Sequence, residues 1–232
     1  MSNYLIIGGS SGIGKEIASQ FSHQGHKVYA TFNTNPTISD HPNLSYHSLN
    51  VLDPVLNLDF LPATLDGVVY CPGSISLRPF SRIKPEDFMS DYNLQVIGAI
   101  KTIQVVLPKL KEAENPAIVL FSTIAVQMGL NFHSQVAASK GAIEGLTRSL
   151  AAEFAPKIRV NCIAPSLTDT PLAASLLNTE QKVEANAQRH PLKRIGTTKD
   201  MADMIEFLLS DKSSWMTGQI LHLDGGMSSI KL

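Results

Sequence analysis

Three glycines near the amino terminus are spaced in a way that could bind a phosphate group. Gly8, Gly12 and Gly14 lie in the run GGSSGIG, between an apolar stretch and a segment of helical period. A helix amino terminus presents unpaired N–H groups and the positive end of its dipole, and glycine lets the backbone approach a ligand without an intervening Cβ. The spacing predicts a pyrophosphate site, with a tight turn at Gly8, close approach at Gly12 and helix packing at Gly14. The alternative is an ordinary Gly/Ser-rich loop without a ligand.

The elements that would position this turn alternate between strands and helices. Apolar runs bounded by turn residues predict seven strands, at residues 4–7, 27–32, 44–49, 67–71, 117–121, 158–163 and 219–223. Helical patterns lie at residues 12–24, 84–111, 134–155, 179–187 and 198–209, and Pro108 is expected to kink or end the second of these. Such alternation is typical of parallel strands joined by crossovers. The expected fold class is a Rossmann-type, doubly wound α/β sheet of seven parallel strands.

The chain is expected to form a single domain over residues 1–232. Its length suits one large α/β domain, and neither an internal repeat nor a low-complexity linker interrupts it. Two connections, at residues 33–43 and 54–66, contain prolines and show little apolar periodicity. We expect these second and third crossovers to be loops or single turns instead of full helices.

The composition limits the partners and the compartment. Hydrophobic residues make up 44% of the chain and charged residues 17%, with a formal net charge of -1, so no global field attracts nucleic acid. The longest apolar runs are far shorter than the roughly 20 residues that span a bilayer, and no secretion signal is evident. Cys71 and Cys162 each lie in an apolar run and are expected to be reduced. We expect a cytoplasmic protein without membrane or nucleic-acid partners, and no metal site is indicated.

The end of the second predicted strand bears on the choice of dinucleotide. An acidic residue there would bind the ribose 2′-hydroxyl and repel a 2′-phosphate. This chain has Thr31, Phe32, Asn33, Thr34 and Asn35 at that point, with neither a carboxylate nor a basic side chain that could pair with a phosphate. We therefore expect NADP(H) to be preferred over NAD(H), with Asn33 as a contact.

Further motifs follow the glycine turn in a fixed order. They are Asn50-Val51 after the third predicted strand, Cys71-Pro72-Gly73 after the fourth, Asn93 in the long helix, Ser122-Thr123 after the fifth strand, the run ASKGA at residues 138–142, and the segments 160–171 and 217–226. Their order and spacing resemble the short-chain dehydrogenase/reductase family over nearly the whole chain, and most of all its branch of 3-oxoacyl-carrier-protein reductases. The resemblance implies an oxidoreductase that transfers a hydride between a nicotinamide dinucleotide and a small-molecule carbonyl or alcohol.

The resemblance also implies which residues bind the cofactor. Asn50 and Val51 would flank the adenine, Lys140 would hold the nicotinamide ribose, and Thr168 and Thr170 would lie near the carboxamide. Ser166 stands where the family has a glycine. The whole implied set is Gly8, Ser10, Ser11, Gly12, Ile13, Gly14, Asn33, Asn50, Val51, Cys71, Pro72, Gly73, Lys140, Pro165, Thr168 and Thr170.

The catalytic positions carry a larger departure from the family pattern. The family has a tyrosine four residues before the helix lysine, and that position is Val136 here. The family hydroxyl that polarises the substrate carbonyl corresponds to Thr123, with Ser122 adjacent, and Asn93 corresponds to the asparagine that supports the lysine. A tyrosine phenol, with an ordinary pKa of about 10, would deliver or accept a proton as the hydride moves. Valine can do neither.

Several groups remain open as substitutes for the missing phenol. His133 lies three residues before Val136 in the loop that enters the helix, and an imidazole titrates near neutrality. It could equally be a solvent-facing loop histidine. Tyr92 is adjacent to Asn93 and points roughly 100° away from it on a helix, so it is a poorer candidate. A water molecule relayed by Thr123 and Lys140 is a third possibility.

Two functions follow from these residues. The first is an oxidoreductase that exchanges a hydride between NADP(H) and a carbonyl or alcohol, with an unusual proton donor. The second is a catalytically weak or inactive NADP(H)-binding protein that acts as a partner or regulatory subunit. The identity of the substrate is not indicated.

The two longest predicted helices bear on assembly. They contain small residues that would permit close helix approach, namely Gly98, Ala99, Gly141, Ala142 and Gly145. The family resemblance implies that these helices form the interface of a homo-oligomer, either a dimer or a homotetramer. Burial inside one subunit is the alternative.

Overall fold

Seven short apolar runs form the strands of one sheet. They are β1 (Asn3–Ile7), β2 (Lys27–Phe32), β3 (Leu44–Ser48), β4 (Gly67–Tyr70), β5 (Ala117–Phe121), β6 (Arg159–Pro165) and β7 (Ile220–Leu223). In the computed structural model, which describes residues 1–231, all of them run parallel in the order β3-β2-β1-β4-β5-β6-β7. The predicted doubly wound sheet of seven strands is confirmed, and each predicted strand agrees with the structure to within two residues at either end.

The helices are α1 (Gly12–His23), α2 (Pro85–Tyr92), α3 (Gly98–Lys111), α4 (Ala125–Met128), α5 (Ser134–Phe154), α6 (Glu180–Gln188) and α7 (Thr198–Leu209). A π-helical segment, Asn93–Ile97, joins α2 to α3, and 3₁₀ turns span Phe80–Arg82, Pro171–Leu176 and Asp211–Ser213. Within the described residues, no helix combines the length and the apolar character needed to cross a membrane.

Pro108 was expected to kink or end its helix, and the second of these alternatives is wrong. Helix α3 continues past this residue to Lys111. A proline removes one N–H from the helix, so the carbonyl of Gln104 four residues earlier loses its partner. Both Gln104 and Pro108 are exposed, so water can bind that carbonyl. The proline therefore stays inside the helix.

The two short crossovers contain no helix, as predicted. Residues 33–43 and 54–66 form turns, bends and irregular chain. The second of these segments still contributes to the core, because four of its leucines are buried under the sheet: Leu56, Leu58, Leu61 and Leu65. These side chains occupy the space that a crossover helix would otherwise fill.

Alternation along the strands produces two separate cores. On β1, Leu5 and Ile7 face the helices α3 and α5, while Tyr4 and Ile6 face α1 and α7. This is the two-residue period of a strand that is covered on both sides. Both faces of the sheet are therefore buried. Its edges and the ends of its strands remain available for binding a ligand.

The sheet reverses its winding between β1 and β4. β1 pairs with β2 on one side and with β4 on the other. The loops that leave β1 and β4 therefore turn to opposite faces and open a crevice at the carboxyl ends of the strands, where ligands of such sheets bind.

The π-helical segment is held by a contact with β4. The hydroxyl of Tyr70 donates to the carbonyl oxygen of Leu94 at 2.6 Å, and the N–H of Gly98 bonds to the carbonyl of Asn93, five residues earlier. A Cβ at Gly98 would overlap that same Tyr70 hydroxyl. A π turn adds a residue to the helical register and rotates the following side chains. Tyr70 and Gly98 thus contact each other at the π segment, which carries side chains of the crevice.

We expect Gly98→Ala to destabilise the protein, because the added methyl competes with the Tyr70 hydroxyl. Overpacking of this kind costs about 1–3 kcal/mol. Tyr70→Phe alone should also destabilise, by about 0.5–1.5 kcal/mol, because it removes a partly buried hydrogen bond to the Leu94 carbonyl. In the double variant the methyl takes the space of the lost hydroxyl, so the loss should be smaller than the sum of the two single losses. Urea unfolding of the three variants measures this, and purely additive losses would contradict the contact.

Candidate cofactor cleft and active site

A cavity of about 680 Å³ lies at the carboxyl ends of the strands. Its lining comes from the segments that follow β1, β2, β3, β4, β5 and β6, from the π-helical segment and α5, and from the chain on both sides of α6. Residues far apart in the sequence meet there because parallel strands bring their carboxyl ends to one edge of the sheet.

The glycine turn forms one wall of this cavity. Gly8 and Gly12 have positive φ angles of 73° and 50°, which favour glycine. A Cβ at Gly14 would collide with the carbonyl oxygen of Gly8, so only glycine lets α1 pack this close to the end of β1. Ser11 at the N-cap makes no side-chain capping bond. The first N–H groups of α1 are therefore left for a ligand.

All of the predicted cofactor contacts line this same cavity. Beyond the glycine turn they include Asn33 after β2, Asn50 and Val51 after β3, residues 71–73 after β4, and Pro165, Thr168 and Thr170 after β6. The Gly8 N–H donates to Oγ1 of Thr31 at 3.0 Å, which ties the turn to β2.

The cavity carries little positive charge. Among its lining residues in the described chain, the lysines and arginines are Lys140 and Arg189, and neither belongs to the segment after β2. That segment presents the uncharged side chains of Asn33, Thr34 and Asn35. A 2′-phosphate would meet amide and hydroxyl donors there, with no carboxylate to repel it.

Lys140 lies on α5 and points into the cavity beside two thiols. Burial lowers the pKa of this lysine from an ordinary 10.5 to about 8, partly offset by Cys162, Asp91 and Cys71. Burial raises the pKa of both thiols to about 12, although Lys140 opposes the rise. Both cysteines are free thiols. Because the pKa of each is raised, both are uncharged at neutral pH.

The two hydroxyls after β5 differ in what they contact. Ser122 is buried and donates to Oε1 of Glu144 at 2.8 Å. Thr123 lines the cavity, and its Oγ1 accepts the N–H of Ala125 at 3.3 Å. The hydroxyl proton of Thr123 is not used in that bond, so Thr123 is the better donor to a substrate oxygen.

Val136 and His133 both line the cavity from the start of α5. Val136 is 8% exposed. Nδ1 of His133 lies 2.7 Å from the carbonyl oxygen of Asn131, which leaves Nε2 available. No tyrosine is among the lining residues that the structure describes, and Tyr92 is exposed outside the cavity. A phenol is therefore not part of this site.

The structure does not bring Asn93 into the site. Asn93 is exposed and does not line the cavity, whereas Gln95 is 1% exposed and does. Both residues belong to the π segment Asn93–Ile97, where side-chain directions differ from those of a regular α-helix. The sequence pattern predicts an ordinary α-helix here and so gave no reason to choose Gln95. Asn93 was chosen because it matches the asparagine of the family.

Sequence reasoning also missed a pair of polar side chains on the far wall. Nδ1 of His190 lies 2.8 Å from the carbonyl of Asn186, so this nitrogen carries the proton. Nε2 then accepts the hydroxyl of Ser166 at 2.8 Å. The bond ties the end of β6 to the chain after α6, and nothing in the sequence pattern around His190 indicates it.

Comparisons with known proteins agree with this geometry. A family model described as enoyl-(acyl carrier protein) reductase matches residues 59–228. The 3-oxoacyl-[acyl-carrier-protein] reductase of Thermotoga maritima is 32% identical over 238 residues, which cover 96% of this chain and 96% of that protein. A solved short-chain type dehydrogenase/reductase from Mycobacterium ulcerans has a TM-score of 0.87 at 27% identity, over 98% of this chain and 90% of that one. The chain belongs to the short-chain dehydrogenase/reductase family.

This short-chain dehydrogenase/reductase is an oxidoreductase, as the names of its relatives indicate. Members of the family bind nicotinamide cofactors. The solved structure of ElxO with NADP bound is 27% identical, with a TM-score of 0.84, and covers 99% of this chain and 100% of that one. The cavity of the short-chain dehydrogenase/reductase described here lies in the crevice where such sheets bind dinucleotides.

Proposed function

We propose that this protein transfers a hydride between NADP(H) and a small-molecule carbonyl or alcohol, with a proton donor that is not a tyrosine. One observation carries the proposal: a single cavity contains the glycine turn, the free hydroxyl of Thr123 and the buried amine of Lys140. When bound, the dinucleotide supplies or accepts the hydride. The roles of the protein are to hold it, to orient the carbonyl and to move the proton.

The residues of the cavity fit a dinucleotide. Gly12 lines the cavity in front of the helix terminus, and a Cβ there would be in van der Waals contact with Thr170 and Pro171, at 3.5 Å or more. The uncapped N–H groups of α1 would hold the pyrophosphate. Asn50 and Val51 would flank the adenine, and Lys140 and Thr168 would contact the nicotinamide half.

Thr123 is proposed to orient the substrate. Its hydroxyl would donate to the carbonyl oxygen and stabilise the negative charge that develops there as the hydride arrives. Ser122 is a weaker candidate because its proton already goes to Glu144.

Lys140 is proposed as the source of the proton. In the direction of reduction an O–H bond forms on the substrate, a proton leaves the ammonium of Lys140 through a water or the Thr123 hydroxyl, and solvent reprotonates the amine. With a pKa of about 8, the amine is mostly protonated at neutral pH and can still release its proton. Reduction requires the charged form, so its rate should be full below pH 8 and fall as the pH rises through that value.

Lys140→Met should reduce the rate of NADPH oxidation by about 10²- to 10⁴-fold with a panel of ketones, quinones and acyl thioesters, because the proton source is lost. Lys111→Met, an exposed lysine on α3, serves as the matched control and should leave the rate unchanged. Thr123→Val should also slow turnover strongly, because it removes only the hydroxyl.

Two further variants in the same assay test the proton source. His133→Ala should retain activity; its loss would assign the proton to the imidazole instead. If the parent has no activity and Val136→Tyr creates it, the proposed enzyme fails and an inactive dinucleotide-binding subunit takes its place.

Directly after β2 the cavity is lined by Asn33, Thr34 and Asn35, without a carboxylate, and this supports a preference for NADP(H). We expect calorimetry to show tighter binding of NADPH than of NADH. Asn33→Asp should reverse the order by adding a negative charge beside the 2′-phosphate, with a loss of NADPH affinity of about tenfold or more. Tighter NADH binding by the parent protein would overturn the preference.

We propose a homo-oligomer, a dimer or a tetramer, that uses the outer face of α5. Gly145 is exposed, and no atom outside its own helix lies within 4 Å of a Cβ built there. Gly98 and Ala99, predicted to permit helix approach, are instead buried within the chain. The predicted cytoplasmic location stays a prediction.

Light scattering should show an assembly larger than the 25.1 kDa chain. Gly145→Trp should dissociate it while circular dichroism stays unchanged, because the side chain would project outward. A monomeric parent would exclude this arrangement.

A further inference from the structure

Asp91 is a buried carboxylate that the proposed reaction does not use. It lies on α2, just before the π-helical segment, and is 4% exposed. Three side chains donate to it: Gln95 to Oδ1 at 2.7 Å, Ser139 to Oδ2 at 2.6 Å, and Ser74 to Oδ1. These donors come from the π segment, from α5 and from the chain after β4. A buried carboxylate without such partners would be strongly destabilising, so the site is built to hold this charge.

The bond from Gln95 fixes the direction of its amide. Asp91 already accepts two hydroxyls and can only accept from Gln95, so the nitrogen of Gln95 must face Asp91. The oxygen Oε1 then points the other way, is buried and has no hydrogen-bond partner. An unpartnered buried acceptor in a satisfied network indicates a missing donor.

Lys140 lies beside that free oxygen. A Cβ built at Gly73 would be 3.4 Å from Oε1 of Gln95 and 3.8 Å from Nζ of Lys140. The amide oxygen and the amine therefore line the same small space without bonding each other directly, and a water between them would supply the donor that Oε1 lacks.

The charges around Lys140 single out Asp91. The groups that act on the amine are Cys162 on β6, Asp91 on α2 and Cys71 after β4. Burial keeps both thiols protonated at neutral pH. Asp91 is the carboxyl group of the three, and its two oxygens accept three hydrogen bonds.

We propose that Asp91 is a positioning residue for Lys140: its carboxylate fixes Gln95 so that Oε1 faces the amine, and its charge helps the buried amine keep its proton. The effect of Asp91 on turnover rests on the proposed function. The effect of Asp91 on the Lys140 amine does not depend on that function.

The test measures the titration of Lys140 directly, in the full-length protein without cofactor or substrate. Competitive labelling with acetic anhydride at a series of pH values, read by mass spectrometry, reports the midpoint for each lysine. Asp91→Asn keeps the shape of the side chain and removes the charge. We expect the Lys140 midpoint to fall by about one pH unit, because an opposite charge nearby favours the charged amine.

Asp87→Asn is the matched control. Asp87 lies one helical turn earlier on α2 and contacts Arg78 and the N–H of Lys84 outside the cavity, so its loss should leave the Lys140 midpoint unchanged. Gln95→Met is the second variant if Asp91→Asn fails to fold. It removes the acceptor oxygen at similar volume and should lower the midpoint in the same direction.

Turnover provides an independent measurement. In Asp91→Asn the fall in reduction rate with rising pH should move to lower pH by the same amount as the labelling midpoint, with kcat affected more than KM. A folded Asp91→Asn variant with an unshifted Lys140 midpoint would overturn the inference, as would an unshifted midpoint in folded Gln95→Met. If the midpoint shifts and the parent reduces no carbonyl, the role of Asp91 stands and the proposed function fails.

Discussion

The parallel hydrogen-bonded pairing of all seven strands is the constraint on which the rest of the molecule depends. Because every strand runs the same way, every strand ends at the same edge of the sheet. The reversal of winding between β1 and β4 then opens that edge into a crevice. Gly8, Thr123 and Ser166 are far apart in the sequence, and each follows or ends one of these strands. The crossovers could shrink to loops without changing the site, because leucines from residues 54–66 keep the core filled.

Much of this arrangement could be predicted from the residues. The glycines at positions 8, 12 and 14 could be predicted to form the turn because glycine is needed there for local steric reasons, and their spacing is visible in the sequence. Strands 117–121 and 27–32 were predicted with the observed bounds for a similar reason, since turn residues mark both ends. The hydroxyls after β5 and the amine on α5 were implied by the family resemblance, and all three line the cavity.

The remaining features depend on contacts that no local pattern encodes. Gln95, which lines the crevice, lies in a π-helical segment whose Leu94 carbonyl bonds to a tyrosine from β4. The pairing of Ser166 with His190 joins residues 24 apart through the end of β6. Pro108 is tolerated because the carbonyl it leaves unbonded faces solvent, and exposure is a tertiary property.

The contact between Tyr70 and Gly98 has a consequence for how this chain can change over evolution. A hydroxyl at position 70 leaves room only for hydrogen at position 98, and a larger residue at 98 excludes the hydroxyl. Either change alone passes through a less stable protein, so the two positions should be inherited as a pair. Because this pair contacts the π segment that carries Gln95, a coupled replacement there would act next to a side chain that lines the cavity. A change in the core of the sheet could thus alter the active site without any substitution inside it.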